Sequence, residues 1–125
     1  MTSRTIAVVG ASRDRRKFGN KCVRAYLEAG YAVYPVNLSE KTIEGLIVSR
    51  SLSELPVEPD RISLYLQPAE TEKLLHELSR FPNSDVWFNP GCADAAILER
   101  ARQLGIRVRA GCSIVDIGLS PSQFS

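Results

Sequence analysis

Residues Thr5–Val9 form an unbroken strand-like run, Thr-Ile-Ala-Val-Val, that Gly10 stops. A strand without alternating polar positions must be covered on both faces, which calls for a sheet sandwiched between helices. The rest of the chain supplies both. From about residue 19 to 29, Cys22, Val23, Tyr26 and Leu27 recur at helical spacing, and Gly30 stands where such a helix stops. Residues 31–36 read as the second strand, 46–48 as a short extra strand after Gly45, and 51–55 as one helical turn before Pro56. Residues 61–66 are the third main strand. Pro68 opens a helix to about Arg80, since a first-turn proline forfeits no hydrogen bond, and Leu74, Leu75, Leu78 and Phe81 form its buried stripe. Residues 85–88 are strand four. Residues 94–104 are a helix with Ile97, Leu98, Ala101 and Leu104 inward, and residues 106–109 are strand five. Strands alternating with helices predict βαβ units, hence an α/β, Rossmann-like doubly wound parallel sheet of about five strands with helices on both faces.

The 125 residues are expected to make one domain, 1–125, large enough to need no disulfide or metal staple. Three scattered cysteines, Cys22, Cys92 and Cys112, make neither a disulfide framework nor a zinc site, and no metal cluster is expected. The longest apolar run, residues 6–11, is far below the ~20 residues that span a bilayer. Arg13, Arg15, Arg16 and Lys17 follow it directly, against a secretory leader. A cytoplasmic protein with no membrane partner is the expectation. The net charge of +2 offers a nucleic-acid partner little.

Ligands of such sheets bind at the carboxyl ends of the strands. The first of those ends, Gly10-Ala11-Ser12, leads to the next glycine only at Gly19, so both the Gly-x-Gly-x-x-Gly fingerprint and a Walker-type loop fail. A longer loop remains, running to Phe18, Gly19 and Asn20 at a helix start whose free N–H groups favour an anion. Residues 13–24 carry six basic side chains against Asp14, an excess of five in a chain of net +2. Positive charge is therefore concentrated at this end of the sheet, as a phosphate-bearing ligand requires. After strand two, Val36, Asn37, Leu38 and Ser39 offer no acid for the ribose hydroxyls of NAD, and Lys41 suits an additional ribose phosphate. That favours NADP or coenzyme A.

The segments Ala7-Val-Val-Gly-Ala-Ser12, Lys17-Phe-Gly-Asn20 and Gly30-Tyr-Ala-Val-Tyr-Pro-Val-Asn37 resemble the coenzyme A-binding domain. The likeness is to its stand-alone bacterial form and to the N-terminal domain of NDP-forming acyl-CoA synthetases and the succinyl-CoA synthetase alpha subunit. Gly45, Pro68-Ala-Glu70, Pro90-Gly91 and Cys112-Ser-Ile-Val115 match in order, so the resemblance covers about residues 4 to 117. Leu66-Gln67 departs from it, standing where many relatives are more basic. The resemblance implies a small-molecule ligand, coenzyme A or an acyl-CoA. It implies that Gly10, Ala11, Ser12 and the loop of Arg13, Arg16, Lys17, Phe18, Gly19 and Asn20 hold the pyrophosphate. Val36, Asn37 and Lys41 would then lie along the adenosine and its 3′-phosphate, Leu66, Gln67 and Pro68 would wall the adenine, and Pro90 and Gly91 would lie nearer the pantetheine arm.

No catalytic residue stands out. His76, the one histidine, falls mid-helix away from the strand ends, and Gly-x-Ser-x-Gly is absent. Cys92 and Cys112 follow glycines at the ligand edge. They read as small buried residues, with a helix start near Cys92 able to acidify its thiol. The expectation is a non-catalytic binding module, either a homo-oligomer or a subunit of a larger assembly. Its rivals are an NADP-dependent oxidoreductase and a nucleotide-sensing domain on the same fold.

Overall fold

The computed structural model describes residues 4–125. Its elements are β1 (Thr5–Val9), α1 (Phe18–Glu28), β2 (Ala32–Val36), β3 (Thr42–Ile43), β4 (Leu46–Ile47), β5 (Arg61–Leu64), α2 (Pro68–Leu78), β6 (Asp85–Phe88), α3 (Ala95–Gln103), β7 (Arg107–Ala110) and α4 (Ser113–Asp116). Short 3-10 turns span Leu52–Glu54 and Pro121–Phe124. Five strands form one parallel sheet in the order β2-β1-β5-β6-β7.

The pleat divides β1 between two cores. Ile6 and Val8 pack with Val23 and Tyr26 of α1, Ile114 of α4 and Phe124. Ala7 and Val9 face the opposite way, joining Leu64, Leu75 of α2 and Ile97 of α3. Burying each large aliphatic side chain contributes about 1.5–3 kcal/mol, so the uninterrupted apolar run of β1 is stable only with both layers in place.

Three local bonds set strand ends that differ from the sequence reading. The second strand begins at Ala32, because the Tyr31 N–H still donates to Tyr26 O (3.0 Å) in closing α1. The last strand begins at Arg107, because the Ile106 N–H donates to Ala101 O (3.1 Å). The third main strand stops at Leu64, after which the Tyr65 N–H makes a final bond to Val9 O (2.9 Å). The short strand at 46–48 proves to be half of a hairpin, pairing Ile43 with Leu46 around Glu44 and Gly45. Both turn residues have positive φ, 49° and 78°, as a two-residue hairpin demands. Leu27 and Leu104, expected inward, are 38% and 41% exposed near the last turns of their helices.

Beyond β2 the sheet has a vestige of a further strand. Val36 and Ser49 form an isolated parallel bridge: the Ser49 N–H donates to Pro35 O and the Asn37 N–H to Ser49 O, both at 3.0 Å. Pro35 is tolerated in β2 because its nitrogen faces this outer edge, where no full ladder needs a donor. No helix among the described residues is long and apolar enough to cross a membrane.

Candidate functional site

The chain leaves β1 for β2 on one side and returns to β5 on the other, so the carboxyl ends of β1 and β5 diverge into a crevice. Gly10 turns there with φ 88°, and a Cβ on it would collide with the carbonyl oxygen of Tyr65. Gly19 closes on the same point, since a Cβ there would collide with Gly10 O. These two contacts draw the start of α1 down onto the sheet edge.

The loop between them is held by its own polar groups. Ser12 Oγ accepts from the Asp14 N–H (3.0 Å), and Asp14 accepts from the N–H and Nε of Arg16 (3.0 and 3.1 Å). The Arg16 side-chain hydrogen bond is the main cause that holds the half-buried Asp14 carboxyl at about 2, below its ordinary 3.8. Asn37 lashes this loop to the one after β2. Its Nδ2 donates to Ala11 O (2.8 Å), while its Oδ1 accepts from the N–H groups of Ser39 and Glu40 (2.8 and 3.0 Å). Asp94 caps α3 through the Ile97 N–H (2.9 Å), whereas no side chain caps α1 and no acid sits in its first turn. The first-turn N–H groups of α1 are therefore available to an anion.

Two adjoining cavities open along this edge and share Gly10, Asn37 and Leu66. The first, about 670 Å³, runs from Ser12, Arg16 and Lys17 across Tyr65 to Asn89 and Pro90. The second, about 500 Å³, has an aliphatic wall of Val36, Leu38, Leu52, Leu66 and Leu74, with Arg50 and Ser51 on the β2 side. Of the residues expected from sequence, Ala11, Ser12, Arg16, Lys17, Phe18 and Gly19 line the first cavity, as do Gln67, Pro90 and Gly91. Val36 lines the second.

Four expected residues line neither cavity. Arg13 pairs with Glu40 (3.7 Å) and is 69% exposed. Lys41 is exposed at the base of the hairpin, where its carbonyl accepts from the Val48 N–H (3.1 Å). Pro68 occupies the first turn of α2. Asn20 is fully buried, and its amide is committed to the fold: Nδ2 donates to Ser12 O (2.8 Å) and Glu44 Oε2 (3.1 Å), and Oδ1 accepts from Arg24 Nε (2.7 Å). Arg24 also donates from Nη2 to Arg15 O (2.8 Å) and to Phe124 O, tying the loop to the C-terminal turn.

Sequence patterning singles out neither Tyr65 nor Arg50, and places Asn89 at a strand end where ligands are expected without giving it a contact of its own. Asn89, in the Asn-Pro-Gly turn at the end of β6, carried a local signal; Arg50, nine residues beyond Lys41, carried none. Buried Asn89 organises the floor of the first cavity, donating from Nδ2 to Ser63 Oγ and Leu64 O (both 2.8 Å) and accepting from the Ser113 N–H (2.9 Å). Cys92 lines the same cavity but is only 1% exposed, and burial pushes its thiol up from the ordinary value. The helix near it starts at Ala95 and is capped by Asp94, so Cys92 does not stand at the helix start expected to acidify its thiol. His76 is exposed on α2 and lines neither cavity.

The sequence matches the family model described as "CoA binding domain" over residues 4–118. It is 41% identical over 58 residues to the acetate–CoA ligase [ADP-forming] II subunit alpha of Pyrococcus furiosus, a match spanning 46% of this chain and 13% of that subunit. Among solved structures, a conserved hypothetical protein from Pyrococcus furiosus superposes with a TM-score of 0.82 at 32% identity, over 90% of this chain and 98% of that one. The dinucleotide-forming acetyl-coenzyme A synthetase 1 of Ca. Korarchaeum cryptofilum, in its apo form, shares the fold with a TM-score of 0.71 at 23% identity, over 83% of this chain and 25% of that enzyme.

Proposed function

The chain belongs to the CoA-binding domain family, and from that premise we propose that it binds coenzyme A or an acyl-CoA and performs no catalysis of its own. The observation that carries this reading is the pair of cavities joined at Gly10, Asn37 and Leu66, one basic and polar, the other aliphatic. The ligand's pyrophosphate lies against the turn of Gly10, Ala11 and Ser12 and the uncapped start of α1, with Arg16 and Lys17 supplying charge. Its adenosine enters the second cavity against Leu66 and Val36. The pantetheine arm follows the first cavity toward Pro90 and Gly91. Asn37 spends both ends of its amide on the two loops, and residues 36–39 at the end of β2 carry no carboxylate for the paired ribose hydroxyls of NAD. The absence of catalysis is argued from the groups that face the ligand: cations, amides, hydroxyls, apolar walls, a thiol raised by burial, and two carboxylates, Glu70 and Glu77, that already accept from backbone N–H groups. The reading includes a cytoplasmic setting, which three unpaired cysteines suit.

A thermal-shift panel of coenzyme A, dephospho-coenzyme A, acetyl-CoA, NAD and NADP tests it. Coenzyme A or acetyl-CoA should stabilise most, by about 2.7 kcal/mol at a hundredfold excess over the dissociation constant. Stabilisation by NAD or NADP with none from coenzyme A would overturn the reading.

A further inference from the structure

The second cavity has a single cationic side chain in its wall, Arg50, and it is neither of the two basic residues that lie nearest β2 in sequence. We propose that Arg50 receives the phosphate carried on the adenosine ribose of the ligand, and that this contact selects coenzyme A over its dephospho form. The inference rests on the reading that the chain binds coenzyme A.

The backbone that carries Arg50 is pinned on both sides. Ser49, before it, is bonded in both directions to the carboxyl end of β2. After Ser51, Leu52 anchors the 3-10 turn in the core at 2% exposure. The side chain thus grows from a fixed point beside the end of β2. Among the described residues its guanidinium makes no ion pair and no hydrogen bond, unlike Arg13 on Glu40 and Arg16 on Asp14. The two carboxylates of the same cavity accept from backbone groups instead: Glu70 from the Gln67 N–H (3.1 Å) and Glu77 from the Ser53 N–H (3.2 Å). The cavity therefore combines an aliphatic wall, which suits the faces of a purine, with a cation that has no counterion. A neutral base and ribose would leave that charge unused, whereas a phosphate monoester accepts two parallel N–H bonds from a guanidinium. Lys41, which sequence adjacency nominates for this task, stands outside the cavity.

Calorimetric titration of coenzyme A and dephospho-coenzyme A, at one ionic strength, into the full chain and its Arg50→Gln and Lys41→Gln variants tests the assignment. The unsubstituted protein should bind coenzyme A at least about tenfold more tightly, and Arg50→Gln should bring the two ligands within about twofold by weakening coenzyme A alone. Arg50→Lys should recover part of the difference. The assignment is overturned if the unsubstituted protein fails to discriminate, if Arg50→Gln still discriminates, or if the loss appears in Lys41→Gln instead. Failure of the unsubstituted protein to bind either ligand would overturn the coenzyme A reading itself.

Discussion

Gly19 rests directly on Gly10: a Cβ at position 19 would run into the Gly10 carbonyl oxygen, just as a Cβ at position 10 would run into that of Tyr65. The contact does the work of the last glycine in a dinucleotide fingerprint, where a helix must approach a strand closely. Here the intervening loop is longer, so the motif fails by spacing while its packing role survives.

Gly19→Ala should therefore destabilise the protein by about 1–3 kcal/mol through overpacking. Helix propensity predicts the opposite sign, a gain of about 1 kcal/mol. Denaturant unfolding at unchanged slope separates the two. Stability equal to or above the parent would mean that the loop yields and the contact is slack. Gly10→Ala adds the left-handed backbone to a collision with Tyr65, and should lose roughly 3 kcal/mol or more.

Arg24 lines neither cavity, yet it ties the loop of residues 12–17 to the C-terminal turn through Asn20, Arg15 and Phe124. Arg24→Gln should speed amide hydrogen exchange in that loop and lower stability by about 1–3 kcal/mol. Coenzyme A binding should weaken with it, although no direct contact is removed. Unchanged exchange in residues 12–17 would refute this coupling.

Asn37→Asp keeps the acceptor that serves the Ser39 and Glu40 N–H groups but loses the donor to Ala11 O, placing a carboxylate against a carbonyl oxygen. The expected loss of stability is about 1–3 kcal/mol. The substitution should not create NAD binding, because the new carboxylate stays engaged with the loop it faces. Tight NAD binding by Asn37→Asp would contradict that account.

Burial pushes the Cys22 thiol up from 9.0 to about 11 and the Tyr26 hydroxyl from 10.0 to about 12. Each group is held neutral by the fold, so its stabilisation is complete below its unfolded value and is lost as pH rises through the folded one. Unfolding free energy should fall from about pH 9 to 12, and Cys22→Ala should remove the lower part of that decline. Denaturation curves at pH 8, 10 and 11 check the sign; rising stability over this range would refute it. At pH 8 the native protein should offer a fast-reacting thiol at half-buried Cys112, with Cys22 and Cys92 reacting only on unfolding.

The parallel α/β sheet was legible because its signals are local. The apolar run of β1, the helical spacing in α1 and the glycines at the turns depend on residues a few positions apart. The same holds for the strand ends that meet at the crevice: Gly10, Ser12, Lys17, Asn37, Gln67 and Pro90, all expected near a ligand, lie just past a strand or just before a helix and line its cavities. The hairpin of β3 and β4 was half missed, since two-residue strands carry too few side chains to show a period.

Long-range partners decided the remainder. Asn20, Cys92, Lys41 and Arg50 have residue types that serve equally well for ligand contact, burial or solvent. Asn20 is consumed by Ser12, Glu44 and Arg24, and Cys92 is sealed under the cavity with its thiol raised. Lys41 lies exposed at the base of the hairpin, outside both cavities, and Arg50 is brought to the end of β2 by the bridge from Ser49 to Val36, thirteen residues apart in sequence. A sequence states which groups can donate, accept or carry charge. Which of them still has an unmet bond beside the crevice is settled only when the folded chain has committed the polar groups around them to partners of their own.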